Sequence, residues 1–171
     1  KVCDQAIKVS KELLKWVEKG YEVITLTASC GLMLKFEWPL LLPDNEDIKQ
    51  LSKKTKDIDE YIVDISKKEG LAKGIGEIDG GVTVHHACHA RAQNMGNKAR
   101  DMLKLIPNIK IDVANKVGKG ASKIIIKKNN KYMASDCPLA GKHLKQLEQD
   151  TNISNDEALH PIELIAKAYK I

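Results

Sequence analysis

Histidine and cysteine cluster in one short stretch of the chain, VTVHHACHARAQ at residues 82–93. His85, Cys88 and His89 lie within five positions of one another there, directly after a run of β-branched residues. Imidazole and thiolate suit zinc, copper or an iron centre. A lone cysteine is more often a small buried residue and a lone histidine a structural one, so the clustering is the informative feature. The stretch predicts a ligand-bearing turn, with a packed structural turn as the alternative.

The surrounding sequence indicates which elements position these side chains. The β-branched run before His85 favours a strand, and helical spacing begins near residue 96. In α/β proteins, chemistry gathers at the carboxyl ends of parallel strands. Cys30 follows another β-branched run, residues 21–27, which we expect to be a strand buried on both faces. Cys137 follows a short predicted strand at residues 131–135.

Two parts of the chain repeat the same order of elements. Each consists of a helix, a short turn and a strand that ends in Ala-Ser and a cysteine, and each is followed by a helix and an isoleucine-rich helix. The two copies begin near residues 9 and 117. The repetition predicts an α/β fold of two pseudo-repeated small units, with short parallel sheets flanked by helices. It would place Cys30 and Cys137 at equivalent positions facing one cleft.

A glycine-rich segment at residues 71–81 marks the boundary between these units. We expect a first unit at residues 1–70, incomplete at its amino terminus because helical sequence begins at Lys1 without a methionine, and a second unit at residues 82–171. Within the first unit, the alternation of acids and bases over residues 45–66 predicts two short surface helices.

Composition excludes several classes of protein. The 28 basic and 23 acidic residues are interspersed and give a net charge of +5, with only two arginines, so nucleic-acid binding is not expected. The apolar run at residues 40–42 is interrupted by Pro39 and Pro43, which argues against membrane insertion. Four separated cysteines without a leader segment predict reduced thiols and a cytoplasmic location.

The motifs His85-x-x-Cys88-His89 and Asp136-Cys137-Pro138 resemble the CCG, or cysteine-rich, domain family. The segments TASCGLMLKFEWPLLLPDNEDI, CHARAQNMGNKARDMLKLIPNIKI and LHPIELIAKAY are similar to the carboxyl-terminal part of the cysteine-rich subunit of anaerobic glycerol-3-phosphate dehydrogenase. They are also similar to the cysteine-rich subunit of heterodisulfide reductase and to rubrerythrin-associated relatives. The resemblance spans nearly the whole chain. It implies tandem α/β units that hold an iron-sulfur cluster, typically 4Fe-4S, or a metal, and that pass electrons.

The resemblance also assigns site residues. Cys88 matches the first cysteine of a unit, and Cys137 and Cys30 open the final Cys-x-x-Cys of the two units, in which Ala140 and Met33 replace the second cysteine. The middle Cys-Cys-Gly loop is missing near residues 111–116; either it is deleted, or the sequence joins segments across residues that belong between them, which we favour. A cubane cluster takes four thiolates. The resemblance therefore implies an iron-sulfur cluster, or zinc or iron, on a mixed ligand set: Cys30, Cys88, Cys137, His85 and His89.

Three functions fit these residues. The first is an electron-transfer subunit, a component of an oxidoreductase rather than a stand-alone catalyst. Its partner would be a flavoprotein or another oxidoreductase subunit, through which it could sit at the inner membrane; self-association is a further option. The second is a non-redox docking domain with a structural metal or none. The third is thiol chemistry at Cys88, activated by a neighbouring histidine, which ranks last because no resolving Cys-x-x-Cys is present.

Overall fold

The computed structural model of the protein describes residues 1–149 and 158–171. It confirms the predicted fold class, because two small parallel sheets of two and three strands are flanked by helices. None of the helices in these ranges is both long enough and apolar enough to cross a bilayer.

The first half of the chain builds the two-stranded sheet. Its elements are α1 (Val2–Val17), β1 (Val23–Thr25), α2 (Ala28–Leu32), a π-helical turn (Met33–Glu37), α3 (Trp38–Leu41), α4 (Glu46–Lys54), β2 (Thr55–Asp57) and α5 (Ile58–Lys68). Strands β1 and β2 pair in parallel, with Thr25 opposite Asp57. Helix α1 is amphipathic and packs its buried Leu14 with Ile48 and Leu51 of α4.

Two expectations for this half were wrong. The strand at residues 21–27 is shorter than predicted and is not buried on both faces, since Tyr21 is 60% and Leu26 65% exposed. Strand β2 lies where only surface helices were expected. It has three residues, too few for an alternating pattern to be visible, and it forms because β1 supplies its hydrogen-bonding partner.

Pro39 does not end the helical run but lies at the second position of α3. Proline lacks an N–H, so the carbonyl four residues earlier loses its helical donor. That carbonyl belongs to Lys35, and the hydroxyl of Ser52 donates to it at 2.6 Å. Trp38 is buried, whereas Leu40 is 80% exposed. The chain thus continues through the proline with the affected carbonyl satisfied.

The second half of the chain builds the three-stranded sheet. Its elements are β3 (Gly81–His85), α6 (Cys88–Ala92), α7 (Lys98–Leu103), β4 (Lys110–Ala114), α8 (Lys119–Lys128), β5 (Tyr132–Ser135), α9 (Pro138–Gln149) and α10 (Pro161–Ala168). The sheet order is β4-β3-β5, with all strands parallel. Every residue of the central strand β3 is buried, as a strand with two neighbours and two covered faces requires.

Apolar side chains cover both faces of this sheet. Val82 and Val84 belong to a buried cluster with Met102, Leu103 and Leu164. A second cluster, formed by Ala114, Ala121, Ile125, Met133 and Leu144, packs α8 and α9 against the sheet. Strand β4 passes into α8 through the short turn at residues 115–118, which lies where the resemblance places the middle Cys-Cys-Gly loop.

The glycine-rich segment between the halves contacts the carboxyl-terminal helix. The N–H of Gly76 donates to the carbonyl of Ala168 at 2.9 Å. The hydroxyl of Tyr169 donates to the carbonyl of Ala72 at 2.8 Å. The segment is therefore fixed at two points on residues that follow it by more than ninety positions.

The two sheets meet at their carboxyl edges. The N–H of Ala28, after β1, lies 3.5 Å from the carbonyl of Asp136, after β5. The side chain of Gln93, after α6, donates to the carbonyl of Ala28 at 3.1 Å. Helices α2 and α6 pack closely, and a Cβ at Gly31 would lie 2.8 Å from Nε2 of Gln93. Glycine at this position allows the two halves to approach.

Candidate metal centre at the facing sheet edges

Three of the four cysteines follow strands on these facing edges. Cys30 is the third residue of α2, which follows β1, and Cys88 is the first residue of α6, which follows β3. Cys137 directly precedes Pro138, the first residue of α9, which follows β5. Cys30 and Cys88 are exposed and Cys137 is half-buried. The hydroxyl of Thr27 donates to Sγ of Cys30 at 3.1 Å.

His85 is linked to Cys137 through one serine. It is buried at the end of β3, and its Nδ1 lies 3.3 Å from the hydroxyl of Ser135. The N–H of Cys137 donates to the same hydroxyl at 3.3 Å. When Nδ1 carries the proton and donates to Ser135, Nε2 presents a lone pair, which is the form that binds a metal. Nε2 is buried and has no hydrogen-bond partner within the described ranges.

Burial keeps the imidazole of His85 neutral. Desolvation lowers the pKa of His85, and the positive charge of Arg91 lowers it further. His86 shares this character: its Nε2 is buried without a partner in the described part of the chain, and burial lowers its pKa. His86 lies outside the predicted ligand set, although its position beside His85 was a visible signal. His89, by contrast, is exposed on α6.

Three buried carboxyl groups lie where the halves meet, and composition gave no sign of them. Burial raises the pKa of Asp136 to about 7, with the charge of Asp57 adding to the shift. Burial also raises the pKa of Asp57, which accepts from the N–H of Asp59 at 3.0 Å and from Gln93 at 3.4 Å. The pKa of Asp59 is raised well above its usual range by burial and by both neighbouring carboxyl groups.

The structure brings together the elements that carry the predicted ligands, but not the ligands themselves. In residues 1–149 and 158–171, no three His, Cys, Asp or Glu side chains lie close enough to share a metal ion. Binding a single metal ion through Cys30, Cys88 and Cys137 would therefore require their sulfur atoms to move closer together. The ligand set of Cys30, Cys88, Cys137, His85 and His89 stays a prediction.

The fold and the site define an α/β protein with cysteines at the carboxyl edges of two facing parallel sheets. The chain is similar to an uncharacterised iron-sulfur protein of Methanocaldococcus jannaschii, with 26% identity over 170 residues that cover 85% of this chain and 32% of the relative. It is also similar to lactate utilization protein A of a Geobacillus species, with 30% identity over 112 residues that cover 61% of this chain and 44% of the relative. The chain thus spans less than half of the length of either protein.

Of these two relatives, the Methanocaldococcus protein is named an iron-sulfur protein. No protein-family model matches the chain, and no solved structure matches it. The comparison with known proteins therefore rests on these two relatives.

Proposed function

We propose that the chain is an electron-transfer subunit of an oxidoreductase complex, with an iron-sulfur cluster or a metal at the facing sheet edges. The observation that carries this proposal is the position of Cys30, Cys88 and Cys137. Each follows a strand of one of two sheets whose carboxyl edges are joined by the contacts of Ala28 with Asp136 and Gln93. The name of the Methanocaldococcus relative supports an iron-sulfur group.

The residues supply the type of ligand atom that an iron-sulfur cluster or a metal uses. They offer fewer thiolates than a cubane cluster takes. Thiolates are the ligands that iron-sulfur clusters and zinc use, and a cubane takes four. Cys30, Cys88 and Cys137 would supply three. The fourth would be His85, whose Nε2 is buried and unpartnered within the described residues, or a ligand from outside the chain, with His89 in reserve. When bound, a cluster would supply storage and transfer of single electrons.

The chain's own residues would shape the surroundings of this group. Strand β3 brings His85 to the edge with its ring buried and neutral, and the hydroxyl of Ser135 orients the ring. Asp136, with its carboxyl group buried and its pKa raised to about 7, adds little negative charge near Cys137 below neutral pH. A neutral carboxyl group opposes addition of an electron to such a group less than a charged one would.

More specific assignments of the role, the partner and the location extend this proposal. Similarity in sequence favours a role like that of the cysteine-rich subunit of anaerobic glycerol-3-phosphate dehydrogenase, with a flavoprotein or another oxidoreductase subunit as the partner. A cytoplasmic location, with contact to the inner membrane through such a partner, follows from that role. The relative named lactate utilization protein A supports a link to lactate utilization.

One observation favours a second function, a docking domain with a structural metal or none. The predicted ligands are not grouped within the described residues, while the fold around them is packed in three apolar clusters. Such a domain would keep its structure without a cluster.

Anaerobic purification with analysis of iron and acid-labile sulfide, together with a visible spectrum, separates these functions. We expect iron and sulfide in the protein and their loss in Cys88→Ala, because the variant removes one thiolate from an already incomplete set. A single tightly bound zinc would support the structural site instead.

Cys3→Ala is the matched control. Cys3 lies near the start of α1 and outside the predicted ligand set. It should leave the iron content and the spectrum unchanged. Absence of iron from the wild-type protein, or equal loss in both variants, would contradict a cluster at the facing edges.

A further inference from the structure

We infer that the outer strand β4 of the three-stranded sheet pairs with β4 of a second copy of this chain. The pairing surface, called the β4 edge, is the side of residues 109–113 that faces away from β3. The two strands run antiparallel about a two-fold axis at Ile111 and join two sheets of three strands into one of six. The inference goes beyond electron transfer and does not depend on a bound cluster.

The two outer strands of this sheet differ in what covers them. Beyond β5, the N–H of Ser135 donates to the carbonyl of Leu159 at 2.9 Å, and the N–H of Leu159 donates to the carbonyl of Met133 at 3.0 Å. Beyond β4, no strand or bridge follows in the described part of the chain. The chain re-enters the described ranges at Ala158, beside β5 and thus on the opposite side of the sheet from β4. An uncovered outer strand presents unpaired backbone groups to another chain.

Alternate residues of β4 point their backbone groups away from β3. The carbonyl of Ala114 accepts from the N–H of His86 at 3.3 Å, so the backbone of Ala114 faces the side of β3. Backbone groups alternate sides along a strand, so Asp112 faces β3 as well. Ile111 and Val113 therefore direct their N–H and C=O groups to the β4 edge. Their side chains are only partly buried against the core cluster of the sheet.

The sequence of the β4 edge, IKIDV at residues 109–113, is complementary to itself when two copies run antiparallel. With Ile111 opposite the partner's Ile111, the outward-facing backbone groups of the two strands meet and exchange hydrogen bonds. Lys110 then lies opposite the partner's Asp112, and Asp112 lies opposite the partner's Lys110. Ile109 lies opposite the partner's Val113. Opposite charges and β-branched pairs placed directly across from each other stabilise a strand pair.

Charge disfavours the neighbouring registers. Backbone bonding allows only shifts that keep outward-facing residues opposite one another, and the nearest of these move the axis to Lys110 or to Asp112. Each would place two like charges directly opposite, which destabilises the pair. Charged side chains on an outer strand also discourage pairing with unrelated strands. The β4 edge therefore favours a second copy in one register, and a two-fold axis closes the assembly at a dimer.

Contacts within one copy leave the charged pair ready for this exchange. Asp112 is held in place by Lys128 at 2.7 Å and by the amide of Asn130 at 3.0 Å. The side chain of Lys110 is 67% exposed, and its ammonium group lies 3.8 Å from Asp112 of its own chain. Pairing replaces this contact with one to the partner's Asp112, so no charge is left unpaired.

The interface is short and leaves the candidate metal centre open. Only a few residues of each strand take part, so we expect weak self-association, with a Kd of about 10–200 µM. The candidate centre lies at the carboxyl end of the strands. Because the paired strands are antiparallel, the two centres of a dimer lie at opposite ends of the joined sheet.

Sedimentation equilibrium of the full chain, from about 5 µM to about 1 mM, tests the inference. A reducing agent prevents disulfides between copies through the exposed Cys30 and Cys88. We expect an equilibrium between monomer and dimer. Lys110→Glu should weaken it about tenfold or more, because two pairs of opposite charge become pairs of like charge. Lys8→Glu makes the same charge change at an exposed position of α1 and should leave the Kd within about twofold of the wild type.

A second pair of variants tests the backbone contact. Ile111→Pro removes an N–H that points to the β4 edge, a position at which an outer strand tolerates proline. It should abolish the dimer. Ile111→Ala trims the same side chain and keeps the N–H, so the dimer should persist with a Kd within about fivefold of the wild type. Circular dichroism checks that both variants fold. Lys110→Glu changes only an exposed side chain and decides the question if the proline variant unfolds.

A chain that stays monomeric up to about 1 mM would overturn the inference. A dimer that persists in Lys110→Glu, or equal losses in Lys110→Glu and Lys8→Glu, would also overturn it and place any self-association on another surface. Species larger than a dimer would contradict closed two-fold pairing. Iron content of the same samples bears on the cluster alone, so either proposal can fail without the other.

Discussion

Asp59 is the most unusual side chain in the protein at the scale of single residues. It is fully buried at the start of α5, and neither carboxyl oxygen has a hydrogen-bond partner in the described ranges. Burial and the neighbouring carboxyl groups of Asp57 and Asp136 raise its pKa well above the usual range. The group is therefore held neutral in the folded protein across a range of pH in which the unfolded chain would release its proton.

Asp59→Asn should stabilise the protein at alkaline pH. Below the unfolded pKa, near 4, both states hold the proton and the carboxyl group has no effect on pH dependence. As pH rises above that value, the unfolded state loses the proton first, so the free energy of unfolding of the wild type falls. We expect Asp59→Asn to unfold with a free energy about 1–3 kcal/mol higher than the wild type at pH 8, and with little difference at pH 4. Urea denaturation across this range measures both values.

Asp44→Asn is the control, because Asp44 is exposed before α4. Its effect should stay within about 0.5 kcal/mol at every pH. If Asp59→Asn is destabilising at pH 8, the carboxyl group has partners that the described residues do not show.

Sequence suggested candidate ligands, which stay a prediction, and gave no indication of the buried acids. His85 and Cys88 stand out because few residue types bind transition metals and because both follow a β-branched run. Asp57 and Asp59 lie in a segment where acids and bases alternate, which is also the pattern of a solvated helix surface. Their burial results from contact with the second half of the chain, and no local pattern encodes that contact.

At the scale of secondary-structure elements, strand pairing decides which strands could be predicted from the sequence. Strand β3 was predictable, because Val82, Thr83 and Val84 form a run of β-branched residues. Strand β2 was not, because Thr55, Lys56 and Asp57 have no strand pattern of their own and depend on β1. The burial of β1 was overestimated for the same reason, since the number of neighbouring strands is a property of the whole sheet.

Asn130 holds all three strands of the larger sheet at one end. Its side-chain amide, two residues before β5, donates to Thr83 of β3 at 2.8 Å and to Asp112 of β4 at 3.0 Å. Thr83 is fully buried and Asn130 is 6% exposed. We expect Asn130→Ala to lower the free energy of unfolding by about 2 kcal/mol, because it leaves the Thr83 hydroxyl without its donor. Thermal and urea denaturation measure the change.

The neighbouring Asn129 supplies a control of the same residue type. It ends α8 with φ of 45° in the left-handed region, which glycine adopts without strain. Asn129→Gly should change stability by less than about 1 kcal/mol in either direction. Equal losses at both positions would show that the turn, and not the Asn130 amide, holds the sheet.

At the scale of the whole molecule, the contact between the two halves is the main determinant of how they are held together. Gly31 of α2 faces Gln93, which bonds to Ala28 and Asp57 of the first half from its position in the second. Gly31→Ala would place a methyl group 2.8 Å from Nε2 of Gln93 and displace that side chain. We expect a loss of about 1–3 kcal/mol in the free energy of unfolding.

A double-mutant cycle with Gln93→Ala tests the cause. If displacement of Gln93 accounts for the loss, Gly31→Ala should cost much less in the Gln93→Ala background. Gly120→Ala is the control, since it adds the same methyl group within α8, where the added Cβ would lie 3.1 Å from Cβ of Lys116. Its effect should be the same in the wild-type and Gln93→Ala backgrounds. Additive effects of Gly31→Ala and Gln93→Ala would contradict the contact.

The anchoring of the glycine-rich segment on Ala168 and Tyr169 bears on how the chain folds during synthesis. The segment leaves the ribosome long before either anchor does, so the first half must wait with its edge uncovered and its connection to β3 free. Folding that proceeds unit by unit can shape each sheet early, but the glycine-rich connection between the sheets is fixed only after α10 has formed. Release of the chain before α10 is made would leave this connection without either of its two anchors.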